Sequence, residues 1–490
     1  MSALARLGRS ATVYVISSIL QKGTAFLLLP LYTRFMPPSQ YGIYSVVLAL
    51  SQLLAVVFPL QLDAAVLRFY YLYRDDHEKL REFWGSVLTF MVLFSGATGL
   101  FLLLFGDFLL RPVVGQIPIW PYVAIGIVIS IFQPFFTVFL AVLQARERSI
   151  RYSIASFLFF LSTTLTTIAL VVWAGFGALG PLISICGGTI IFAIAALIIL
   201  RPDYRICLKW NHIRQALGYS LPTMPHAMAG TILGISDRIA LNLLKGVATT
   251  GVYNIGAVIG SAVEMIASGA NRAYIPIGMS IRSREDPEQF RQLHELGVAV
   301  IAILCLAGAG LSIFSREIVY VFAAQAFQAA RFVIPFIAFG GVASGIYYIL
   351  VNVLFFDRHW VRYIWVGTGL AAAVSIAINF TLIPVLGMMG SAVASLVAQL
   401  VSTTVIAFIG SRIDPVPWHY GMIALVYGVC LIVAFAVVYL LAGLSIGIFV
   451  MKATIFAALV PAIGLILWRD PMRLPYFALR LVRNRTLRAI

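Results

Sequence analysis

Polar positions are sparse along this chain and collect in short breaks between long apolar stretches. Fourteen apolar runs fall near 11–36, 41–66, 85–108, 119–144, 152–174, 180–201, 215–244, 247–275, 290–314, 331–356, 362–384, 388–411, 419–442 and 445–468. Each reaches the roughly 20 residues that a helix needs to cross the hydrocarbon core of a bilayer. Alternation at period two, the mark of a membrane β-barrel, is absent from the sequence. The pattern therefore predicts an all-α polytopic membrane protein with 14 transmembrane helices.

The breaks carry an internal repeat. "LPLYTRFMPPSQYGIYS" (29–45) is answered by "ALNLLKGVATTGVYN" (240–254), with Gly42 on Gly251 and Tyr44 on Tyr253 at an offset of 209. Arg151-Tyr152 falls on Arg362-Tyr363 and Arg201 on Arg412 at 211, and Gly177 and Gly180 fall on Gly387 and Gly390 at 210. Matches in one order at nearly one offset predict a duplicated unit. The expected organisation is an N-lobe over 1–208 (runs 1–6), a C-lobe over 209–412 (runs 7–12), two further helices in 413–468 and a basic tail over 469–490. An even number of helices per copy gives both six-helix lobes one orientation, with a pseudo-twofold axis along the membrane normal. "MPPSQ" reads as a tight turn, its prolines closing one helix before the next begins. Gly42, Gly251, Gly256 and Gly260 are candidates for close helix contact.

Composition strengthens this picture: 61% of residues are hydrophobic and only 11% charged, with a mean hydropathy of +0.99. The formal net charge of +16 does not call for nucleic acid, because 26 of the 34 Lys and Arg fall in alternate loops and the ends. The positive-inside rule then places both termini in the cytoplasm. The six arginines after Trp468 lie among apolar residues, a pattern suited to an anionic leaflet or to a solvated topogenic tail. The start, "MSALARLGRS", resembles the basic region of a signal peptide, but the run behind it is long, contains Lys22 and lacks a small-residue cleavage site. Cys186, Cys207, Cys305 and Cys430 suggest no disulfide framework. No phosphate loop, HExxH or metal-spaced Cys/His cluster occurs in the sequence, so no metal or cofactor is expected.

Charges inside the apolar runs narrow the chemistry, since each costs about 2.5–3.5 kcal/mol at the bilayer centre. At 1.5 Å per residue, Lys22 and Gln52 lie about 16 Å from their helix entries, His226 at a similar depth, and Glu264 about 21 Å in. Asp237 and Arg238 lie farther along the seventh run, and Arg34 lies near the outer interface. In the eighth run Asn254, Ala257, Ser261, Glu264, Ser268 and Asn271 follow at spacings of three and four, which puts a polar or small stripe on one helix face. Such a stripe faces a cavity or another helix. Buried structural pairing competes with a functional role for Lys22 and Glu264, and Asp237-Arg238 also reads as a local pair. "SLPTMPHAMAG" places Pro222 and Pro225 just before His226 and predicts a bend. "LSTTLTT" (161–167) reads as hydroxyls that pack helices.

Four segments carry a family resemblance: "LPLYTRFMPPSQYGIYS" (29–45), "LQLDAAVLRFYY" (60–71), "SDRIALNLLKGVATTGVYN" (236–254) and "INFTLIPVLGMMGSAVAS" (378–395). Together they resemble the multidrug/oligosaccharidyl-lipid/polysaccharide exporter superfamily, and within it the polysaccharide-transporter branch of Wzx-type flippases. The resemblance implies a V-shaped pair of lobes working by alternating access. Its implied cargo is an oligosaccharide on a polyprenyl diphosphate, moved across the bacterial cytoplasmic membrane for O-antigen, capsule or exopolysaccharide synthesis. In the related lipid II flippases a cationic cavity holds the diphosphate and two extra helices form a lipid groove. Here Lys22, Arg34 and Arg238 would serve the diphosphate, and Gln52, Ser261 and Asn271 the sugars. Glu264, Asp237 and His226 would couple transport to H+ or Na+. Membrane lipid, and polymerases or glycosyltransferases, are the implied partners.

Two relatives of the same superfamily compete with this reading. A cation-coupled drug exporter would favour carboxylates in its cavity, whereas Lys22, Arg34 and Arg238 outnumber Asp237 and Glu264 here. A lipid II flippase is the other. A glycan polymerase or ligase would need a large external loop with catalytic groups, and the longest candidates, near 107–120 and 315–331, are short and hold no histidine.

Overall fold

In the computed structural model the described residues are 26, 28–282, 287–356, 360, 363–414, 416, 418–441 and 443–468. They are almost wholly helical, with no strand among them. Thirteen helical spans among them are long and apolar enough to cross a membrane. These coincide with the second to fourteenth runs, and the first run is described only from Phe26 onward. Lys22 and the tail 469–490 lie outside the described residues.

By contact the chain forms two compact units, one of residues up to Asn254 with Ser375–Ser391, the other of Ile255–Val374 with the residues from Ala392 onward. A contact boundary reports packing, whereas the repeat boundary near 208 reports duplication, so the two need not coincide.

The first unit opens with α1 (Leu29–Phe35), closed at an extended Met36, and α2 (Pro38–Val57), which Pro38 starts at a position where a missing N–H costs nothing. The second run is not one helix to residue 66. It breaks at Phe58–Gln61 and resumes as α3 (Leu62–Tyr73), with Leu60 and Gln61 at φ of 50° and 58°. Pro59 supplies the reason, since it lacks the donor that a continuing helix requires. The freed Phe58 carbonyl accepts from Ser95 Oγ at 3.2 Å. The polar stretch 68–84 between the second and third runs is mostly helix. It ends α3 and begins α4 (His77–Leu109), whose N-cap Asp76 accepts from the Lys79 N–H at 3.1 Å.

After the short α5 (Arg111–Val114) come α6 (Ala124–Ala145), α7 (Ser149–Ile168), α8 (Leu179–Ile199) and α9 (Trp210–Lys245). The last remains one helix through Pro222 and Pro225 and closes on Gly246 at φ 82°. Lipid tails are as apolar as leucine, so these helices associate through close packing and hydrogen bonds rather than through a hydrophobic drive. Ser51 Oγ lies 3.0 Å from the Gly126 carbonyl, and Ser130 Oγ donates to the Ser51 carbonyl at 3.1 Å, which stitches α2 to α6.

The helix α10 (Val247–Gly260) meets α2 at the paired glycines: a Cβ on Gly42 would overlap the Val247 carbonyl, and one on Gly251 the Pro38 carbonyl. The two copies of the repeated motif thus touch through the residues that identified the repeat.

The second unit is built on α11 (Ala262–Arg282), α12 (Pro287–Ile313), α13 (Ser315–Phe322), α14 (Ile334–Phe356) and much of α15 (Ile364–Leu386) and α16 (Met388–Gly410). The two helices beyond the repeat, α17 (Tyr420–Leu440) and α18 (Ile446–Trp468), share its apolar core. Tyr427 donates to the Phe339 carbonyl at 3.0 Å. Lys452, only 2% exposed, pairs with Glu317 at 2.7 Å and joins α18 to α13.

Candidate functional site

The first unit holds five of the nominated residues. Asp237 on α9 is buried, and its carboxylate accepts from Tyr253 Oη at 2.6 Å and from the Arg238 backbone N–H at 2.8 Å. The expected local pair with Arg238 is thus a backbone bond, with no ion pair between the two side chains among the described residues. Arg238 is half-buried, with its Nε buried and unpartnered among the described residues, and it lies near Tyr41 and Tyr44. Those tyrosines and Tyr32 form a ring cluster with centroids 5.4–5.8 Å apart. A cation with no ion pair among the described residues can engage an anion without first breaking a salt bridge to one of them. Ser391 Oγ, 3.4 Å from the Asp237 carbonyl, continues the network to Asn379 and Ser375.

Arg34 sits exposed in the last turn of α1, where a cation suits the helix dipole. His226 is exposed on α9, roughly 17 Å along the helix from Asp237 at 1.5 Å per residue, so the two do not form one cluster. Gln52 is exposed at the edge of a cavity of about 400 Å³. That cavity is also lined by Thr163, Thr164 and Thr167 of "LSTTLTT". Gln133 and Thr137 on α6 and Thr189 on α8 join them, residues the sequence reading missed. The available signal was helical spacing: Gln133-Thr137 and Thr163-Thr167 each stand four apart on one face.

In the second unit Ser261, Glu264 and Asn271 follow one another along the eighth span, whose backbone bonds run through Ser261. Ser261 is exposed and its hydroxyl returns to the Val258 carbonyl at 2.7 Å. Glu264 is half-buried and accepts from Tyr348 Oη at 3.1 Å, while Asn271 accepts from Asn352 at 2.9 Å. Both partners stand on α14. A Cβ on Gly341 would meet the Glu264 backbone N at 2.8 Å, so a glycine permits this approach. Among the described residues no three His, Cys, Asp or Glu side chains are placed to hold a metal.

The thirteen apolar spans among the described residues define a multi-pass membrane protein that carries polar groups within those spans. The model of the polysaccharide biosynthesis protein family matches residues 7–282, and the chain belongs to that family. A curated protein of the Lsg locus of Haemophilus influenzae is 22% identical over 354 residues, covering 71% of this chain and 84% of that one. The lipid II flippase MurJ in an inward closed conformation matches with a TM-score of 0.67 at 14% identity, over 91% of this chain and all of that one. An inward-facing multidrug transporter of the MATE family, in the MOP superfamily, matches with a TM-score of 0.65 at 14% identity, over 82% of this chain and 98% of the other. The chain therefore belongs to a polysaccharide biosynthesis family, and its fold is shared with these two transporters.

Proposed function

We propose that the chain is a flippase that carries a polyprenyl-diphosphate-linked oligosaccharide repeat unit across the bacterial cytoplasmic membrane by alternating access. The observation that carries the reading is membership of a polysaccharide biosynthesis family on an exporter fold. The chemistry is consistent with it. A diphosphate is too costly to draw through hydrocarbon unaided, while the lipid tail can stay in the bilayer. Arg238, with Lys22 and Arg34, supplies cations for the diphosphate, and Gln52, Ser261 and Asn271 meet sugar hydroxyls. Glu264, Asp237 and His226 take up the coupling H+ or Na+, and polymerases or glycosyltransferases act before and after the transport step.

The test is a lipid extract from a deletion strain, analysed for polyprenyl-diphosphate oligosaccharides. One such species is expected to accumulate, and the wild-type gene but not Lys22→Ala to relieve it. An unchanged lipid pool in a strain without a second flippase would count against the reading. The likeness to a multidrug transporter favours drug export as the second reading, in which case deletion would raise susceptibility to cationic drugs and leave the lipid pool alone.

A further inference from the structure

The cavity at Gln52 lies wholly within the first unit, between α2, α6, α7 and α8 and beside the start of α1. Its volume of about 400 Å³ falls in the range of roughly 300–1,000 Å³ usual for small-ligand pockets. No Lys, Arg, Asp, Glu or His lines it among the described residues.

Its polar surface is made of hydroxyls and amides, and their bonding shows what they can still offer. Thr163 Oγ1 donates to the Phe159 carbonyl at 2.7 Å, Thr189 Oγ1 to that of Cys186 at 2.9 Å, and Thr137 Oγ1 to that of Gln133 at 3.2 Å. A hydroxyl has one proton and two lone pairs, so these three present acceptors to the space. Thr164 Oγ1 is buried at the same wall with no partner among the described residues. The amides of Gln52 and Gln133, both exposed at the cavity, add donors and further acceptors. Among the same lining residues the rings of Phe136 and Phe159 stack with centroids 5.1 Å apart.

No described residue lining the cavity is a cation, so along the threonine wall the oxygens of a phosphate would face lone pairs. A molecule rich in O–H donors, uncharged, and with a flat C–H face for the aromatic wall satisfies each part.

We infer that this cavity recognises an uncharged sugar unit of the cargo and selects against sugars that carry a carboxylate. The inference rests on the reading of the chain as a lipid-linked oligosaccharide flippase and adds to it a place and a rule for sugar choice.

The full-length protein in lipid nanodiscs is titrated with short-chain prenyl diphosphates that are bare, glucosylated, N-acetylglucosaminylated or glucuronylated. At least one uncharged sugar should tighten binding about tenfold over the bare probe, the worth of one or two hydrogen bonds. The glucuronyl probe should show no such gain. Thr163→Val, which keeps the side-chain shape, and Gln133→Leu, at an exposed position, should each remove the gain and leave the affinity for the bare probe unchanged. That unchanged affinity also shows that the variants fold.

The inference is overturned if neither uncharged sugar tightens binding, if the glucuronyl probe gains as much, or if both variants keep the gain. Equal loss of bare-probe binding in both variants would assign these side chains to structure and overturn it too. In all these cases binding of the bare probe to the wild type leaves the flippase reading standing. Binding of no probe at all overturns both.

Discussion

Two carboxylates placed in the membrane spans are each held by a tyrosine. Asp237 takes the hydroxyl of Tyr253 and Glu264 that of Tyr348. A phenol can donate to a carboxyl group whether or not that group carries a proton, so uptake of a proton need not break the contact as it would weaken a salt bridge. Glu264→Gln keeps the acceptor and removes the titratable group. It is expected to abolish dependence of transport on the ion gradient while expression is retained, as measured by uptake into energised vesicles; unchanged coupling would remove Glu264 from the mechanism. Tyr253→Phe strands a buried acceptor and is expected to cost about 1–3 kcal/mol, read as a lowered unfolding temperature of the purified protein. The carboxylates were legible in the sequence because charge is rare in apolar runs. Their partners were not, since Tyr253 lies 16 and Tyr348 84 residues away, and tyrosine is at home in such runs.

Among the elements, the paired helices α2 and α10 depend on what their glycines lack. Overpacking a tight contact costs about 1–3 kcal/mol or more, and at Gly42 the obstacle is backbone, which cannot swing aside. Gly42→Val is therefore expected to abolish folded protein in a detergent-solubilised gel-filtration profile. Gly187→Ala, with nothing within 4 Å of the added carbon, should leave the profile unchanged. The sequence marked Gly42 and Gly251 by their repetition, although only the fold shows that they face one another. It also carried the break after α2 in Pro59, which an unbroken apolar run from 41 to 66 concealed. Hydrophobicity locates a span well, but backbone donors decide where a helix within it must stop.

For the whole molecule, thirteen of the fourteen apolar runs appear as spans at nearly their expected places, because bilayer thickness leaves little freedom in helix length. The orientation expected from the basic loops is open to direct test. In a background lacking Cys186 and Cys207, Lys79→Cys should resist a membrane-impermeant maleimide on intact cells, and Asp107→Cys should react. The reverse pattern would invert the topology. Less was legible in the cavity at Gln52, because threonine and glutamine serve both packing and recognition. Only the space between α2, α6, α7 and α8 separates those roles.

The ion pair between Lys452 and Glu317 bears on how the chain is made. A lysine near a helix end ordinarily reaches for water, but this one turns inward to a carboxylate that was synthesised 135 residues earlier. Alone in lipid, α18 would carry that charge without its partner. The charge of Lys452 is met only where α18 packs beside α13, so the pair ties the settling of that helix to assembly of the second unit.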